Sequence, residues 1–203
     1  MNHADAIACR VAVLFARADS NYKAMPECDV YDIERDARTF TGGMPVVAHP
    51  PCRAWGSFRA IAKPRPGEKE LALFAIEQVR TFGGVLEHPK GSTLWPTAGL
   101  PAPGRRDAFG GWTLPIFQNW FGHRAEKATL LYIVGCEPAD VPPLPFRLGK
   151  ATHVIAQSRT RPDGSRKRKG DADWMPEVTP REREHTPRAG RLAGRPGQPL
   201  PFK

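Results

Sequence analysis

The residues of this chain with the clearest chemical potential are a cysteine and a glutamate, each placed after a short apolar run. Cys52 lies shortly after the apolar residues 44–48, and Glu87 directly follows Val85-Leu86. A thiol can add to an electrophilic carbon while a carboxylic acid protonates the atom that gathers charge. These two residue types therefore predict nucleophilic addition to an electron-poor ring, of which a pyrimidine is one example.

Short apolar runs predict the strands that must position these side chains. Candidate strands cover residues 11–15, 29–33 and 44–48, and a further one begins at Val85. Residues 67–82 place apolar side chains at helical spacing, with acidic residues in the first turn and Gly83-Gly84 as a stop. This order of strand, helix and strand is typical of a parallel sheet that is covered by helices and has right-handed crossovers.

The second half of the chain predicts an antiparallel addition to that sheet. Residues 113–120 and 129–134 are strand-like, and their short polar connection favours an antiparallel pair. The predicted fold is α/β and Rossmann-like, with a mostly parallel sheet and an antiparallel terminal strand pair over residues 1–149. Residues 150–203 predict a basic Pro- and Arg-rich C-terminal segment, partly disordered from about Pro187 onward.

The composition is that of an ordinary globular chain, with 203 residues of which 40% are hydrophobic. No apolar stretch near the start approaches the roughly 20 residues of a membrane span, and no signal-peptide pattern is visible, which predicts a soluble, cytoplasmic protein without a membrane partner. The four cysteines form no C-x-x-C pair, and the histidines near the strand ends lack ligand spacing, so no metal site is predicted.

Positive charge is concentrated at the C-terminal end. Residues 1–149 carry 17 Lys and Arg against 15 Asp and Glu, whereas residues 150–203 carry 13 against 6. The run Arg166-Lys167-Arg168-Lys169 would attract nucleic-acid phosphates through counterion release, without reading sequence. A solvated basic end that binds nothing is the alternative, and charge alone leaves both open.

The predicted strand ends define a candidate site, because ligands of open α/β sheets bind beyond the carboxyl ends of the strands. Those ends carry or adjoin six candidate side chains: Asp32, Glu34, Cys52, Glu87, Arg124 and Lys127. Each has a structural alternative, since a free cysteine is most often a small buried hydrophobe and a charged loop residue is most often solvated.

The segment Pro50-Pro51-Cys52 after an apolar strand, followed 35 residues later by Glu87 after another, resembles the nucleophile and acid motifs of the DNA cytosine-5 methyltransferases. The resemblance implies that Cys52 attacks carbon 6 of cytosine, that Glu87 protonates ring nitrogen 3, and that S-adenosylmethionine supplies the methyl group. The small size of the chain and the residues around these motifs resemble phage or prophage members of the family, which implies that the protein acts in the cytoplasm of a host cell.

Other segments resemble the same family in the same order. Asp32-Ile33-Glu34 resembles the acidic end of its second strand, which holds the ribose of S-adenosylmethionine, and Phe15 and Pro50 are implied to line that cofactor site. The motif with His123-Arg124 and Lys127 resembles the basic motif that supports the target base. It implies a catalytic role for Arg124 and a nucleic-acid contact for Lys127.

Two further segments extend the interpretation. Residues 179–182 resemble a short motif near the family's C-terminus. Arg53 adjoins Cys52, where a cation lowers the pKa of a thiol, and it is also a candidate contact to nucleic acid.

The chain departs from the family in three places. The loop of residues 16–21 after the first strand contains no glycine, and Glu34 and Cys52 are only 18 residues apart. The 51 residues between Lys127 and Thr179 leave little room for target recognition. The expected substrate is therefore DNA, single-stranded or duplex, or a pyrimidine nucleotide. The alternatives are a catalytically inactive nucleic-acid-binding accessory protein of phage origin, and a pyrimidine-modifying enzyme with another one-carbon donor.

Overall fold

A six-stranded sheet is the centre of the computed structural model, which describes residues 10–144 and 147–179. Its strands are β1 (Val11–Leu14), β2 (Cys28–Val30), β3 (Val46–Ala48), β4 (Gly84–Pro89), β5 (Trp112–Phe117) and β6 (Ala128–Val134). They lie in the order β2-β1-β3-β4-β6-β5. Each strand overlaps a run predicted from the sequence.

The sheet is mixed, as predicted. β1 pairs in parallel with β2 and with β3, and β3 pairs in parallel with β4. β6 runs antiparallel to β4, with Glu87 opposite Leu131. β5 is the neighbour of β6, which agrees with their short connection. The predicted α/β class is confirmed.

One long helix, α1 (Glu68–Phe82), covers one face of the sheet, and a single turn, α2 (Leu94–Thr97), follows β4. Gly67 and Gly83 flank α1 with φ angles of 74° and 76°, a conformation that favours glycine. The buried side of α1 and the facing strand residues form one apolar cluster, which includes Ala72, Ala75, Ile76, Val79, Ala12, Leu14, Val46, Ala48 and Leu86. The helix predicted over residues 67–82 is confirmed.

The first two crossovers carry no α-helix, contrary to the expectation of a sheet covered by helices. The connection from β1 to β2 contains the 3₁₀ turn Asn21–Ala24, and the connection from β2 to β3 contains the 3₁₀ turn Ala37–Thr39. Ser20 and Asp36 cap these turns by accepting backbone N–H groups. Short polar segments with such caps close as turns, because they have no apolar face to bury as a helix.

The predicted end of β5 needs correction, whereas the strand predicted to begin at Val85 and end at Glu87-His88-Pro89 is confirmed. β5 ends at Phe117, not at residue 120, because the 3₁₀ turn Gln118–Phe121 follows and ends at Gly122 with φ 99°. β4 continues to Pro89, since its backbone pairs with β6 along its full length. Glu87 therefore lies within a strand and not in the loop after it.

The chain separates into two compact units that interleave along the sequence. Among the described residues, the first unit contains 10–115 and 129–144, and the second contains 116–128 and 147–179. Isolated bridges join Ala125 to His153 and Val154 to Glu177 in the second unit. The division into domains 1–149 and 150–203 stays a prediction, and the segment from Pro187 onward lies outside the described residues.

None of the helices in the described part of the chain is long and apolar enough to cross a membrane.

Candidate functional site at the carboxyl edge of the sheet

The strand order reverses between β1 and β3. From β1 the chain passes to β2 on one side, and it then returns to place β3 on the other side of β1. Open α/β sheets bind ligands at such a switch point, outside the carboxyl ends of the strands. The register pairs Leu14 with Ala48, so Phe15 and His49 are the first residues beyond the two strands at this point.

Phe15 has an unusual backbone conformation. Its φ angle is 62°, and it is the one non-glycine residue with positive φ among the described residues. The left-handed conformation costs an L-residue roughly 1–2 kcal/mol. The turn brings the Phe15 ring to 6.4 Å from the ring of Phe74 on α1, although Leu14 before it already faces that helix. The chain therefore turns at the switch point without a glycine.

Of the two candidate ribose ligands, Asp32 is committed to local structure. One carboxylate oxygen accepts the backbone N–H groups of Glu34 and Arg35 at 2.9 and 3.1 Å, and the other pairs with Lys23. The hydrogen bond from Lys23, together with those from the backbone, lowers the pKa of Asp32 to about 2. Asp32 is buried and Glu34 is exposed, so Glu34 is the carboxylate presented to solvent.

Cys52 begins a tight turn directly beyond β3. Its carbonyl accepts the N–H groups of Trp55 and Gly56 at 3.0 and 2.7 Å. The Cys52 side chain is half-buried, and Pro50 before it is buried. The Trp55 indole N–H donates to the carbonyl of Lys69 on α1 at 2.9 Å, which ties the turn to the helix. These contacts hold the thiol segment at the carboxyl edge.

Arg53 has a structural partner. Its guanidinium donates to the carboxylate of Glu68, with Nε 2.9 Å from Oε1. Glu68 is buried, whereas the Arg53 side chain is about half exposed. Part of the charge that Arg53 offers to a thiolate or to nucleic acid is thus balanced by Glu68, and the roles predicted for Arg53 stay predictions.

Glu87 meets a histidine of the neighbouring strand. Ala48 and Leu86 are register partners that pack toward α1, so the next residue of β4, Glu87, points to the opposite face of the sheet. There its Oε2 lies 3.7 Å from Nδ1 of His49, and both side chains are largely buried, with 10% and 13% of their surface exposed.

A tyrosine completes this group. The ring of Tyr22 stacks on His49 with 5.9 Å between the ring centroids, and its hydroxyl lies 3.5 Å from Nε2. Burial, with smaller contributions from Cys28 and Glu87, raises the pKa of Tyr22, so its hydroxyl stays protonated at neutral pH. Sequence reasoning considered His49 only as a metal ligand and missed Tyr22, because a tyrosine in a short polar connection carries no periodic signal.

The basic candidates lie in the second unit. Arg124 is exposed, and its carbonyl accepts the N–H groups of Thr152 and His153 at 3.0 and 3.1 Å. Lys127 is half-buried, and its carbonyl accepts the N–H of Gln118. The structure therefore fixes the backbone of both residues within that unit, while their roles at the target base stay predictions.

The residues of the basic run predicted to bind nucleic acid differ in solvent exposure. Arg166, Arg168 and Lys169 are exposed. Lys167 is half-buried, and its Nζ lies 3.5 Å from a carboxylate oxygen of Asp173. Three of the four cations are thus presented to solvent.

A scan against protein-family models, a search of curated proteins and a search of solved structures each find no match to the chain. Within the described residues, no three His, Cys, Asp or Glu side chains are grouped so that they could hold a metal ion. The geometry of the carboxyl edge is therefore the basis on which a function can be inferred for this chain.

Proposed function

We propose that this chain is a pyrimidine-modifying transferase of the DNA cytosine-5 methyltransferase type, with Cys52 as nucleophile and Glu87 as general acid. The observation that carries the proposal is that both groups come from neighbouring strands at one edge of the sheet. Cys52 follows β3, Glu87 lies in β4, and the two strands are adjacent and parallel with Ala48 opposite Leu86.

The chemistry uses both groups on one ring. The Cys52 thiolate forms a bond to carbon 6 of cytosine while Glu87 donates a proton to ring nitrogen 3, which leaves an enamine whose carbon 5 is nucleophilic. Carbon 5 would then take a methyl group from the sulfonium sulfur of a donor, whose carbon–sulfur bond breaks to leave a neutral thioether. Loss of the carbon-5 proton to solvent and departure of the thiolate restore the double bond, and ring nitrogen 3 returns its proton to Glu87.

The residues at the switch point fit the proposed donor. S-adenosylmethionine, when bound, would supply the methyl group. Glu34 presents an exposed carboxylate that can accept hydrogen bonds from ribose hydroxyls, while Phe15 makes the turn that usually needs glycine. Phe15, Glu34 and Pro50 are the residues that would hold the donor, and Asp32 would keep its place beside Lys23.

The substrate class follows from the cost of reaching a base. Extracting a paired base costs a few kcal/mol, and an unpaired base costs less. The exposed cations Arg166, Arg168 and Lys169 attract phosphate without reading sequence. We therefore propose single-stranded DNA or a pyrimidine nucleotide as the preferred substrate.

Two variants test the catalytic roles. Cys52→Ala and Glu87→Gln are assayed for transfer of labelled methyl groups to a cytosine-containing single strand and to a free pyrimidine nucleotide. We expect each to lose at least about 100-fold in rate, since nucleophile and acid act on the same ring. Cys136→Ala is the matched control, because it removes a buried thiol that follows Val134, which pairs with Gly84 at the start of β4, the opposite end of that strand from Glu87. Full activity in Cys52→Ala overturns the proposal.

The second candidate is a catalytically inactive nucleic-acid-binding accessory protein. The three exposed cations favour it, as does the absence of glycine from residues 16–21. Calorimetric titration with S-adenosylmethionine separates the two, because the accessory protein gives no heat of binding.

A pyrimidine-modifying enzyme with another one-carbon donor is the third alternative. It retains the Cys52 chemistry and also gives no heat with S-adenosylmethionine. Mass spectrometry of DNA from cells that express the chain identifies it by an added mass different from that of a methyl group.

A further inference from the structure

Three side chains from three separate segments converge on the face of the sheet opposite α1. Tyr22 comes from the 3₁₀ turn before β2, His49 from the end of β3, and Glu87 from β4. The imidazole lies between the other two, 3.5 Å from the Tyr22 hydroxyl at Nε2 and 3.7 Å from Glu87 at Nδ1. His49 Nδ1 is buried and has no hydrogen-bond partner within the part of the chain that the structure describes.

The contacts suit a proton on each nitrogen of the imidazole. The Tyr22 hydroxyl oxygen can accept from Nε2–H as well as donate to Nε2, and the protonated His49 ring also carries a proton at Nδ1. That proton faces Oε2 of Glu87. The separation of 3.7 Å is longer than a hydrogen bond, and such contacts often shorten only when substrate is bound.

We infer that His49 is a positioning residue that, when protonated, supplies a proton to Glu87 and takes it back, and that Tyr22 holds the imidazole in place through its stacked ring and its hydroxyl. The inference rests on the proposed function, in which Glu87 must hold a proton before it meets ring nitrogen 3. One proton moves from Nδ1 of the His49 imidazolium to the Glu87 carboxylate, which leaves a neutral imidazole protonated at Nε2 and a carboxylic acid. The reverse transfer follows when Glu87 recovers its proton from the product.

Other titratable groups lie around the imidazole on the segments that pack against it. Tyr22 faces it from the segment before β2, and Cys28 of β2 interacts electrostatically with Tyr22. Glu87 faces it from β4, and Cys52 follows it on its own segment. Of these residue types, imidazole is the one whose charge ordinarily changes between pH 5 and 8.

The pH profile of the variant His49→Gln distinguishes proton supply from structural support. Protonated His49 supplies Glu87, so the ratio of the wild-type rate to the variant rate is about tenfold or more at pH 6 and falls as the pH rises to 8. Dividing the two profiles removes the common contribution of Cys52. Tyr22→Phe, which keeps the stacked ring, shows a smaller loss with the same trend. A ratio that is constant over this range overturns the inference.

A measurement without substrate separates this inference from the proposed reaction. The His49 ring is titrated by NMR in the wild-type chain and in Glu87→Gln. Proton sharing predicts that removal of the carboxylate shifts the midpoint of the His49 titration to lower pH. A shift together with an absence of methyl transfer supports the proton-sharing pair and overturns the proposed function. Identical titrations overturn the inference, whatever the activity.

Discussion

The guanidinium of Arg53 and the buried carboxylate of Glu68 join the segment after Cys52 to the first turn of α1. The same carboxylate accepts the backbone N–H of Arg65 at 3.2 Å. One side chain at the start of the helix therefore holds both ends of the connection formed by residues 53–65. This arrangement keeps the Cys52 turn close to the carboxyl edge while the middle of the connection, with Phe58 and Ile61, stays exposed.

Replacement of Glu68 by Gln destabilises the fold at neutral pH. Burial raises the pKa of Glu68. The hydrogen bonds from Arg53 and from the Arg65 N–H, together with the charges of both residues, outweigh burial, so the pKa is lowered overall. A lowered pKa contributes stability that is present above the unfolded value of 4.5 and is lost as the pH falls through the folded value. We expect a loss of about 1–2 kcal/mol at pH 7, reduced because Arg53 is half exposed.

Urea unfolding of Glu68→Gln and wild type at pH 7 and at pH 3 measures this effect. The difference in unfolding free energy shrinks toward pH 3, where the wild-type carboxylate also gains a proton. Glu70→Gln is the control, since Glu70 is an exposed acid in the same helical turn. A difference that does not change with pH contradicts the role given to the ion pair.

Phe15→Gly is expected to be more stable than Phe15→Ala by about 1 kcal/mol. Both variants lose the ring contact with Phe74, but only alanine pays the cost of a φ angle of 62°. Thermal unfolding of the two variants gives the comparison. At Leu14, in extended backbone within β1, the order of the glycine and alanine variants is reversed. If the alanine variant is the more stable one at both positions, the Phe15 backbone is not strained.

The strands and the long helix could be predicted because their signals are local. Apolar runs end at Leu14 and Ala48, and the spacing of Ala72, Ile76 and Val79 repeats with the period of a helix. From those elements alone the sequence places Cys52 and Glu87 at neighbouring strand ends. The structure agrees on the adjacency of β3 and β4, since parallel strands joined by one helix tend to be neighbours.

The contacts of the site could not be predicted in the same way. Tyr22 and His49 are 27 residues apart, and Arg53 and Glu68 are 15 apart, with no periodicity that links either pair. Such contacts depend on how polar connections fold over the sheet edge, and many turn conformations suit the same residues. The ion pair between Asp32 and Lys23 could not be predicted for the same reason. A carboxylate at a strand end gives the same sequence pattern whether it binds a ligand or caps a turn.

Tyr132 is expected to make the fold sensitive to alkaline pH. Its hydroxyl donates to Asp107 at 2.6 Å, and burial, with the charge of Asp107, raises the pKa of Tyr132 to about 12. A raised pKa contributes stability that is fully present below the unfolded value of 10.0 and is lost as the pH rises to about 12. Tyr132→Phe is therefore less stable by about 1 kcal/mol at pH 7 and loses less stability between pH 10 and 12.

Chemical denaturation at pH 7, 10 and 11.5 checks the Tyr132 prediction, and absorbance titration of the phenolate follows the ionisation directly. The variant and wild-type stabilities converge as the pH rises. Parallel losses of stability in the two proteins would assign the alkaline sensitivity to other groups.

Ion pairs made by Arg161 hold the basic segment of the second unit and leave three of its cations exposed. Arg161 pairs with Asp171 and with Asp173, at 2.9 Å for the Asp173 contact, and its backbone N–H donates to Ser165. The charge of Arg161 is thereby used within the protein. Arg166, Arg168 and Lys169 remain exposed on the same segment.

Replacement of Arg166, Arg168 and Lys169 together by Gln is expected to weaken binding to single-stranded DNA and to lower its salt dependence. Three lost phosphate contacts reduce the slope of log K against log salt concentration by about 2. The matched control replaces the exposed residues Lys90, Arg105 and Lys150 by Gln, which changes the net charge equally at other positions. Fluorescence anisotropy across a salt series compares the two triple variants. An equal change of slope in both triple variants would assign the effect to net charge. A contact at residues 166–169 predicts instead that the slope changes more when the cations of that segment are the ones removed.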